Sequence, residues 1–215
     1  MVDSTSIEPR WRRMPEERPR QILDAAFEVF AEQGLAAARL DDIAKRAGVS
    51  KGTIYLYFPN KEELFREMVR NTILAQIEIG EQAPETASAT DDLLECMRGY
   101  WGFLRSNTFP VLYRLIQAEL SNFPELAQFY AVEVIQRGHR LFCHHIDRGI
   151  EKAEFRPLDS SAATRMVIGA MVMHSLWCSK RSFFPSVAER SDEQVFGEIT
   201  DFILHALRPA APTAS

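Results

Sequence analysis

Polar and aromatic residues between positions 39 and 61 have the chemistry needed to contact duplex DNA. Lys51 can approach phosphates or guanine acceptors, and the hydroxyl and methyl groups of Thr53 suit a base edge or a phosphate. Tyrosine hydroxyls can reach the sugar-phosphate backbone while the rings pack against the groove wall. For Tyr55, packing into the protein core is the alternative. The candidate contact residues are Arg39, Ser50, Lys51, Gly52, Thr53, Tyr55, Tyr57 and Lys61.

Two short helical patterns around a glycine would position these residues. In the first pattern, apolar residues recur at helical spacing, namely Leu40, Ile43, Ala44 and Ala47. Gly48 follows, where a left-handed conformation ends a helix at low cost. Ser50 is a favourable N-cap for the second helix, in which Ile54 and Phe58 face inward. Two helices joined by a tight turn form a helix-turn-helix, whose second helix enters the major groove.

Several runs in this segment also match a known family in register. They are Ile43-Ala44, Ala47-Gly48-Val49-Ser50, Gly52-Thr53-Ile54-Tyr55, Tyr57-Phe58 and Asn60-Lys61-Glu62-Glu63-Leu64. Together they resemble the DNA-binding domain of tetracycline-repressor-type (TetR family) transcriptional regulators, over roughly residues 18–78. That family usually has Ser or Thr near positions 38 and 39, whereas this chain has Ala38 and Arg39. The helix that begins near residue 40 therefore has a cap weaker by about 1 kcal/mol.

The resemblance implies a sequence-specific DNA-binding regulator rather than an enzyme. It implies a homodimeric repressor that a small lipophilic or aromatic effector releases from a palindromic operator. Two alternatives stay open: an effector-free or protein-regulated DNA-binding module, and a small helical enzyme. No nucleophile elbow, phosphate loop or local metal motif supports the enzyme, and we expect no cofactor.

Composition and charge favour a cytoplasmic protein that does not enter a membrane. The 215 residues have a formal net charge of −5, but residues 10–20 and 39–61 each have an excess of positive charge. DNA affinity depends on such local neutralisation of phosphates. Three dispersed cysteines, Cys96, Cys143 and Cys178, argue against a disulfide framework. The sequence has no signal-peptide pattern and no apolar run of membrane-spanning length.

Helical periodicity predicts an all-α fold of about nine helices. We expect a disordered basic arm over 1–15, a three-helix helix-turn-helix domain over 16–78, a larger helical ligand-binding and dimerisation domain over 79–208, and a disordered tail over 209–215. The first helix should run from about Glu17 to Gln33 and end at Gly34. In the larger domain, helices are expected near 91–106, 109–120, 124–152, 159–181 and 191–207. The arm is either untethered or reaches the minor groove through its arginines, Arg10, Arg12 and Arg13.

The last two predicted helices carry the argument for dimerisation. The helix over 159–181 is apolar nearly all round and must be enclosed on most sides. The resemblance implies a four-helix interface built from both helices of each subunit, and the alternative is packing within the monomer only. The predicted interface residues are Met166, Ala170, Phe196, Ile199, Phe202 and Ile203.

The middle helices are rich in aromatic residues with few polar groups, which is typical of a small-molecule cavity. A solidly packed core is the alternative. The predicted ligand-binding residues are Trp101, Phe103, Phe109, Tyr113, Gln117, Phe129, Phe142, His145, His174 and Trp177. A metal site at His139, Cys143, His144 and His145 is disfavoured, because adjacent histidines on a helix point about 100° apart and no Cys-x-x-Cys pair supports them.

Overall fold

A computed structural model describes residues 17–209, and every regular element in that range is helical. The prediction of an all-α fold is therefore confirmed. The arginine arm and most of the short C-terminal tail lie outside the described residues. None of the helices described is long and apolar enough to cross a membrane.

The packing divides the chain into two units, the first ending at Phe65 and the second beginning at Arg66. The first unit contains α1 (Glu17–Ala37), α2 (Leu40–Arg46), α3 (Lys51–Tyr57) and the beginning of α4 (Lys61–Val69). The packing division thus lies within α4, whereas the boundary expected from the sequence follows that helix.

The second unit continues α4 through a π-helical segment, Arg70–Leu74, into α5 (Ala75–Gln82). Its remaining α-helices are α6 (Ala89–Leu104), α7 (Phe109–Glu119), α8 (Pro124–Phe129), α9 (Arg137–Glu151), α10 (Ser160–Ser179), α11 (Pro185–Ala188) and α12 (Asp192–Leu207). A second π-helical segment, Tyr130–Gln136, joins α8 to α9. The expected helices are present within a few residues of their predicted bounds, and α11 is an element that the sequence pattern did not indicate.

Glycine and capping residues define the turns of the first unit as expected. Gly34 has a φ of 80° and interrupts the helical geometry of α1, while Gly48 has a φ of 64° after α2. Asn60 accepts a hydrogen bond at 2.8 Å from the backbone N–H of Glu63 and so caps α4. Buried apolar residues from all four helices form the core, among them Ile22, Phe30, Ile43, Ile54 and Leu64.

The core of the second unit lies between α6, α9, α10 and α12. Its central contacts include Trp101, whose ring stacks on Phe196 at a centroid distance of 6.1 Å. Gly149 is required where the turn after α9 folds back, because a Cβ at that position would clash with the ring of Phe155. A complete capping box of Ser191 and Gln194 begins α12.

Candidate DNA interface and ligand cavity

Helix α3 presents a polar and aromatic face because its opposite face is buried. Ile54 is completely buried and Phe58 nearly so. Tyr55 and Tyr57 are 46% and 37% exposed. The core-packing alternative for Tyr55 is therefore wrong, and both tyrosine rings are available for contact with another molecule.

Ser50 fixes the beginning of α3. Its hydroxyl accepts a hydrogen bond at 3.1 Å from the backbone N–H of Thr53, as a Ser N-cap should. The two hydroxyl groups, Oγ of Ser50 and Oγ1 of Thr53, also lie 2.8 Å apart and share a hydrogen bond. The Thr53 side chain is thereby held in one orientation at the N-terminal end of the helix, where a base edge or a phosphate would meet it.

Lys51 is paired with a carboxylate rather than free. Its ammonium lies 2.9 Å from Asp41 of α2, and 5.9 Å from the centroid of the Tyr55 ring. The hydrogen bond to Asp41 raises the pKa of Lys51, so the group stays charged. Because both partners are exposed and such surface pairs contribute little, Lys51 can exchange this carboxylate for a phosphate.

Lys61 makes contacts that its position in the sequence did not indicate. Its ammonium donates hydrogen bonds to the carbonyl oxygens of Ala36, at 2.6 Å, and Ala38, at 3.3 Å. These carbonyls lie around the C-terminal end of α1, where a positive charge is favourable. Lys61 therefore links the N-terminus of α4 to the connection between α1 and α2, and its contact with phosphate stays a prediction.

The positive charge of the segment is partly neutralised within the first unit. Arg46 lies 3.0 Å from Glu28 and 2.7 Å from Glu32, both on α1. Hydrogen bonds with these two carboxylates raise the pKa of Arg46 further above its already high value. Arg39 stands at the N-cap of α2 without a side-chain capping bond. This is expected, because Arg39 replaces the Ser or Thr that the TetR-type domain usually has near this position.

The second unit contains a cavity of about 990 Å³. Its wall is formed by the first π-helical segment, by α5 to α10 and by the second π-helical segment, and most of the lining is apolar. Six aromatic side chains contribute to it: Tyr100, Phe103, Phe109, Tyr113, Tyr130 and Phe142. The interior is therefore not packed solid, and the alternative of an aromatic core without a void is wrong.

The structure separates the predicted ligand-binding residues into two groups. The cavity is lined by Phe103, Phe109, Tyr113, Gln117, Phe142 and His145. The other four are not among the residues that line this cavity, so their contact with a ligand stays a prediction. Trp101 stacks on Phe196 of α12, and Phe129 lies beneath the guanidinium groups of Arg66 and Arg70. His174 and Trp177 pack on each other with centroids 4.8 Å apart.

Several lining residues were missed because their sequence signal resembles that of ordinary core. Ile73 and Ile77 were not among the predicted ligand-binding residues, yet both line the cavity. Tyr130 also lines it, and burial raises the pKa of its hydroxyl to about 12. Burial likewise raises the pKa of Cys96 to about 12. Both groups are uncharged at neutral pH, which keeps this wall apolar.

One end of the cavity has a compact polar cluster. Arg148 forms an ion pair with Asp92, which also accepts hydrogen bonds at 3.0 and 3.2 Å from the backbone N–H of Thr86. Burial opposes the charged form of Asp92, but the bonds from Arg148 and Thr86 outweigh it and lower the pKa of Asp92 to about 2. Beside this pair, Nδ1 of His145 is buried and has no hydrogen-bond partner among the described residues.

The predicted interface residues also fall into two groups. Met166 and Phe202 are 74% and 75% exposed, and Ala170 is half-buried. The other three, Phe196, Ile199 and Ile203, are buried in the core of their own protomer, and their part in an interface stays a prediction. Their side chains face α6 and α10. On the opposite, exposed face of α12, Phe202 is the large apolar side chain.

The histidine and cysteine cluster of α9 is held by hydrogen bonds. Sγ of Cys143 lies 3.5 Å from Nδ1 of His139 and 3.4 Å from Oγ1 of Thr164. His144 pairs with Glu85 at 2.8 Å. Within residues 17–209, no group of three or more potential metal ligands is assembled.

Both units match models of known protein families. Residues 22–68 match the model of bacterial regulatory proteins of the tetR family, and residues 83–195 match the tetracyclin repressor-like C-terminal domain. The fatty acid metabolism regulator protein of Bacillus subtilis is 32% identical over 163 residues, which cover 74% of this chain and 82% of that protein. The transcriptional repressor KstR2 of Mycolicibacterium smegmatis is 28% identical, over 84% of this chain and 86% of that repressor.

A solved structure agrees with these relatives. The transcriptional regulator FadR from Bacillus subtilis, crystallised in complex with stearoyl-CoA, aligns with a TM-score of 0.70 at 27% identity. The alignment covers 88% of this chain and 99% of that one. With a helix-turn-helix in the first unit, a cavity in the second and family models matching both, the chain belongs to the TetR family of DNA-binding transcriptional regulators.

Proposed function

We propose that this regulator is a homodimeric repressor, acting in the cytoplasm, whose affinity for a palindromic operator falls when a long-chain acyl compound occupies the cavity. The observation that carries the proposal is the apolar cavity of about 990 Å³ in the second unit. Two relatives support the class of ligand: the fatty acid metabolism regulator of B. subtilis and the FadR structure with bound stearoyl-CoA.

The size and lining of the cavity favour a long apolar ligand over a small polar one. Ligand cavities commonly enclose about 300–1,000 Å³, so this one lies at the upper end of the range. A small polar effector would lose its hydration to aromatic and aliphatic walls without gaining enough hydrogen bonds. An acyl chain instead gains about 0.8 kcal/mol for each methylene that leaves water.

The cavity wall includes part of the helix that begins in the DNA-binding unit. Ile73 and Ile77 line the cavity and are continuous with α4 through the π-helical segment Arg70–Leu74. The second π-helical segment, Tyr130–Gln136, lies against the first. Such segments are less favourable than α-helix and are frequent at functional sites. A ligand that prefers one arrangement of these segments shifts the equilibrium between two forms, and operator affinity changes by the same coupling factor.

An apolar surface on α10 and α12 supports the proposed homodimer. Met166, Met173 and Phe202 are large apolar side chains that the protomer leaves exposed. Exposed apolar residues on neighbouring helices are typical of an association surface. A two-fold dimer brings two copies of α3 to successive half-sites of a palindrome, about one helical turn of DNA apart.

The proposal is tested by operator release. An operator is first selected from random duplexes, and its binding is followed by fluorescence anisotropy while acyl-CoA thioesters from octanoyl to stearoyl are added. We expect release, with affinity that rises about fourfold per added methylene until the cavity is filled. Matched short polar thioesters, such as acetyl-CoA, serve as controls. Intact operator binding that no acyl compound weakens would contradict the proposal.

A further inference from the structure

The unpaired histidine of the cavity wall points to the chemistry of the ligand's head group. His145 is 7% exposed and lines the cavity. Its Nδ1 has no hydrogen-bond partner in the described part of the chain. Buried polar atoms are nearly always hydrogen-bonded, so an unpaired one in a cavity wall calls for a partner that is missing from the protein itself.

The charge around His145 disfavours an anionic partner. Carboxylates line the cavity at Glu85, Asp91, Asp92 and Glu95, and two of them, Asp92 and Glu85, interact electrostatically with His145. The nearby cation, Arg148, is already committed to these groups, because it pairs with Asp92, lies 3.2 Å from Glu85 and donates to the carbonyl of Thr86. A ligand carboxylate beside His145 would therefore meet like charges without a free cation.

The remaining charged side chain of the wall, Arg165, is bonded at the beginning of α10 and not to the cluster around His145. Among the described residues, Arg165 is the cation that lines the cavity. Its guanidinium donates a hydrogen bond at 2.9 Å to Oγ of Ser161, at the beginning of α10. Ser161 contacts His139, which lies six residues before His145 on α9, or about 9 Å along the helix axis.

We propose that His145 hydrogen-bonds the uncharged carbonyl of a thioester or ester, so that the cavity selects acyl esters and thioesters over free fatty acids. The inference rests on the proposed function and specifies the ligand of the same cavity. Burial, together with the neighbouring His144, lowers the pKa of His145, so the ring is neutral at physiological pH. A neutral imidazole offers one donor and one acceptor, which suits a carbonyl and does not compensate a carboxylate.

The experiment compares three probes of one chain length: laurate, methyl laurate and lauroyl-CoA. Dissociation constants are measured by calorimetry on the full-length protein at pH 8, where the laurate carboxyl is ionised. We expect methyl laurate and lauroyl-CoA, which each have an uncharged carbonyl in place of the laurate carboxylate, to bind at least about tenfold more tightly than laurate, because an unpaired charge beside His145 is costly to bury. The ester and thioester arms distinguish a requirement for the carbonyl alone from one that includes the CoA moiety.

Two variants test the role of His145 itself. His145→Phe keeps the ring volume but removes the hydrogen bond, and we expect about fivefold weaker binding of methyl laurate, as for loss of one neutral hydrogen bond. His145→Gln retains a donor and an acceptor and should recover most of the affinity. His144→Phe is the matched control, since its imidazole is exposed and paired with Glu85; we expect no change in binding.

The outcomes separate the two proposals. If laurate binds as tightly as the ester, selection for a neutral head is refuted while the proposed acyl-responsive function stands. If folded His145→Phe binds the ester with unchanged affinity, the assignment to His145 is refuted. If His145→Phe fails to fold, the three-probe comparison on the wild type tests the selection for a neutral head, and ester binding by His145→Gln tests the role of His145. Absence of binding by all three probes would contradict both proposals.

Discussion

Filling the cavity from α6 should abolish the ligand response while leaving the fold intact. Gly99 lines the cavity, and a Cβ added there would have no heavy atom within 4 Å. Gly99→Leu therefore places four carbon atoms in the void without a backbone clash. The change also removes a glycine from a helix interior, which adds about 0.5–1 kcal/mol of stability.

The loss of ligand affinity follows from the volume that the leucine takes. If its four carbons exclude about four methylenes of an acyl chain, at about 0.8 kcal/mol each, binding weakens by about 3 kcal/mol, or about a hundredfold. Gly99→Leu should accordingly bind the operator like the wild type and stay bound at acyl-CoA concentrations that release the wild type. Operator anisotropy with and without ligand measures this directly.

Gly102→Leu is the matched control for this experiment. Gly102 lies on the same helix, a Cβ added to it would also have no heavy atom within 4 Å, and it is not among the residues that line the cavity. It should gain the same helix stability and keep the ligand response. An acyl response of Gly99→Leu equal to that of Gly102→Leu would refute the assignment of this cavity as the ligand site.

Three further substitutions test the remaining parts of the structure. Phe202→Glu should give monomers in analytical ultracentrifugation, because Phe202 is 75% exposed on α12; a persistent dimer would place the interface elsewhere. Lys51→Ala should leave the thermal stability unchanged, since its pair with Asp41 is exposed, and should reduce the salt slope of DNA binding by about 1; an unchanged slope would remove Lys51 from the phosphate contacts. Asp92→Asn should lower the stability of the fold, because it replaces the charged partner of Arg148 by a neutral amide, while Arg148 keeps Glu85 and the carbonyl of Thr86. In the wild type, the stability that Asp92 contributes should be complete above its unfolded pKa, near 3.8, and lost as the pH falls towards about 2; equal acid sensitivity of Asp92→Asn and wild type in thermal melts would contradict this.

The helix-turn-helix could be predicted from the sequence because its signals are local. The Ser50 cap, the Gly48 turn and the inward-facing Ile54 and Phe58 each depend on neighbours within a few residues, and all four are present in the structure. The ion pairing of Arg46 could not be predicted in the same way, because its partners lie on α1 and become close only when the helices pack.

The sequence predicted the cavity but only part of its lining, for a geometric reason. Tyr100 and Trp101 are adjacent aromatic residues on α6 and point about 100° apart. Tyr100 faces the void, whereas Trp101 stacks on Phe196. The sequence shows that both are large and apolar, but only the position of α12 determines which one is covered. The same dependence on packing explains why Phe202 remained outside while Ile199 and Ile203 were buried.

In the proposed function, the coupling between the cavity and DNA binding runs along the stretch from Lys61 to Gln82. Lys61 is bonded to the carbonyls around the end of α1, and Ile77 lines the cavity. The π-helical segment Arg70–Leu74 lies between these two residues in the sequence, and such segments are frequent at functional sites. A ligand that favours one arrangement of this segment therefore changes operator affinity by the same factor by which the operator changes ligand affinity.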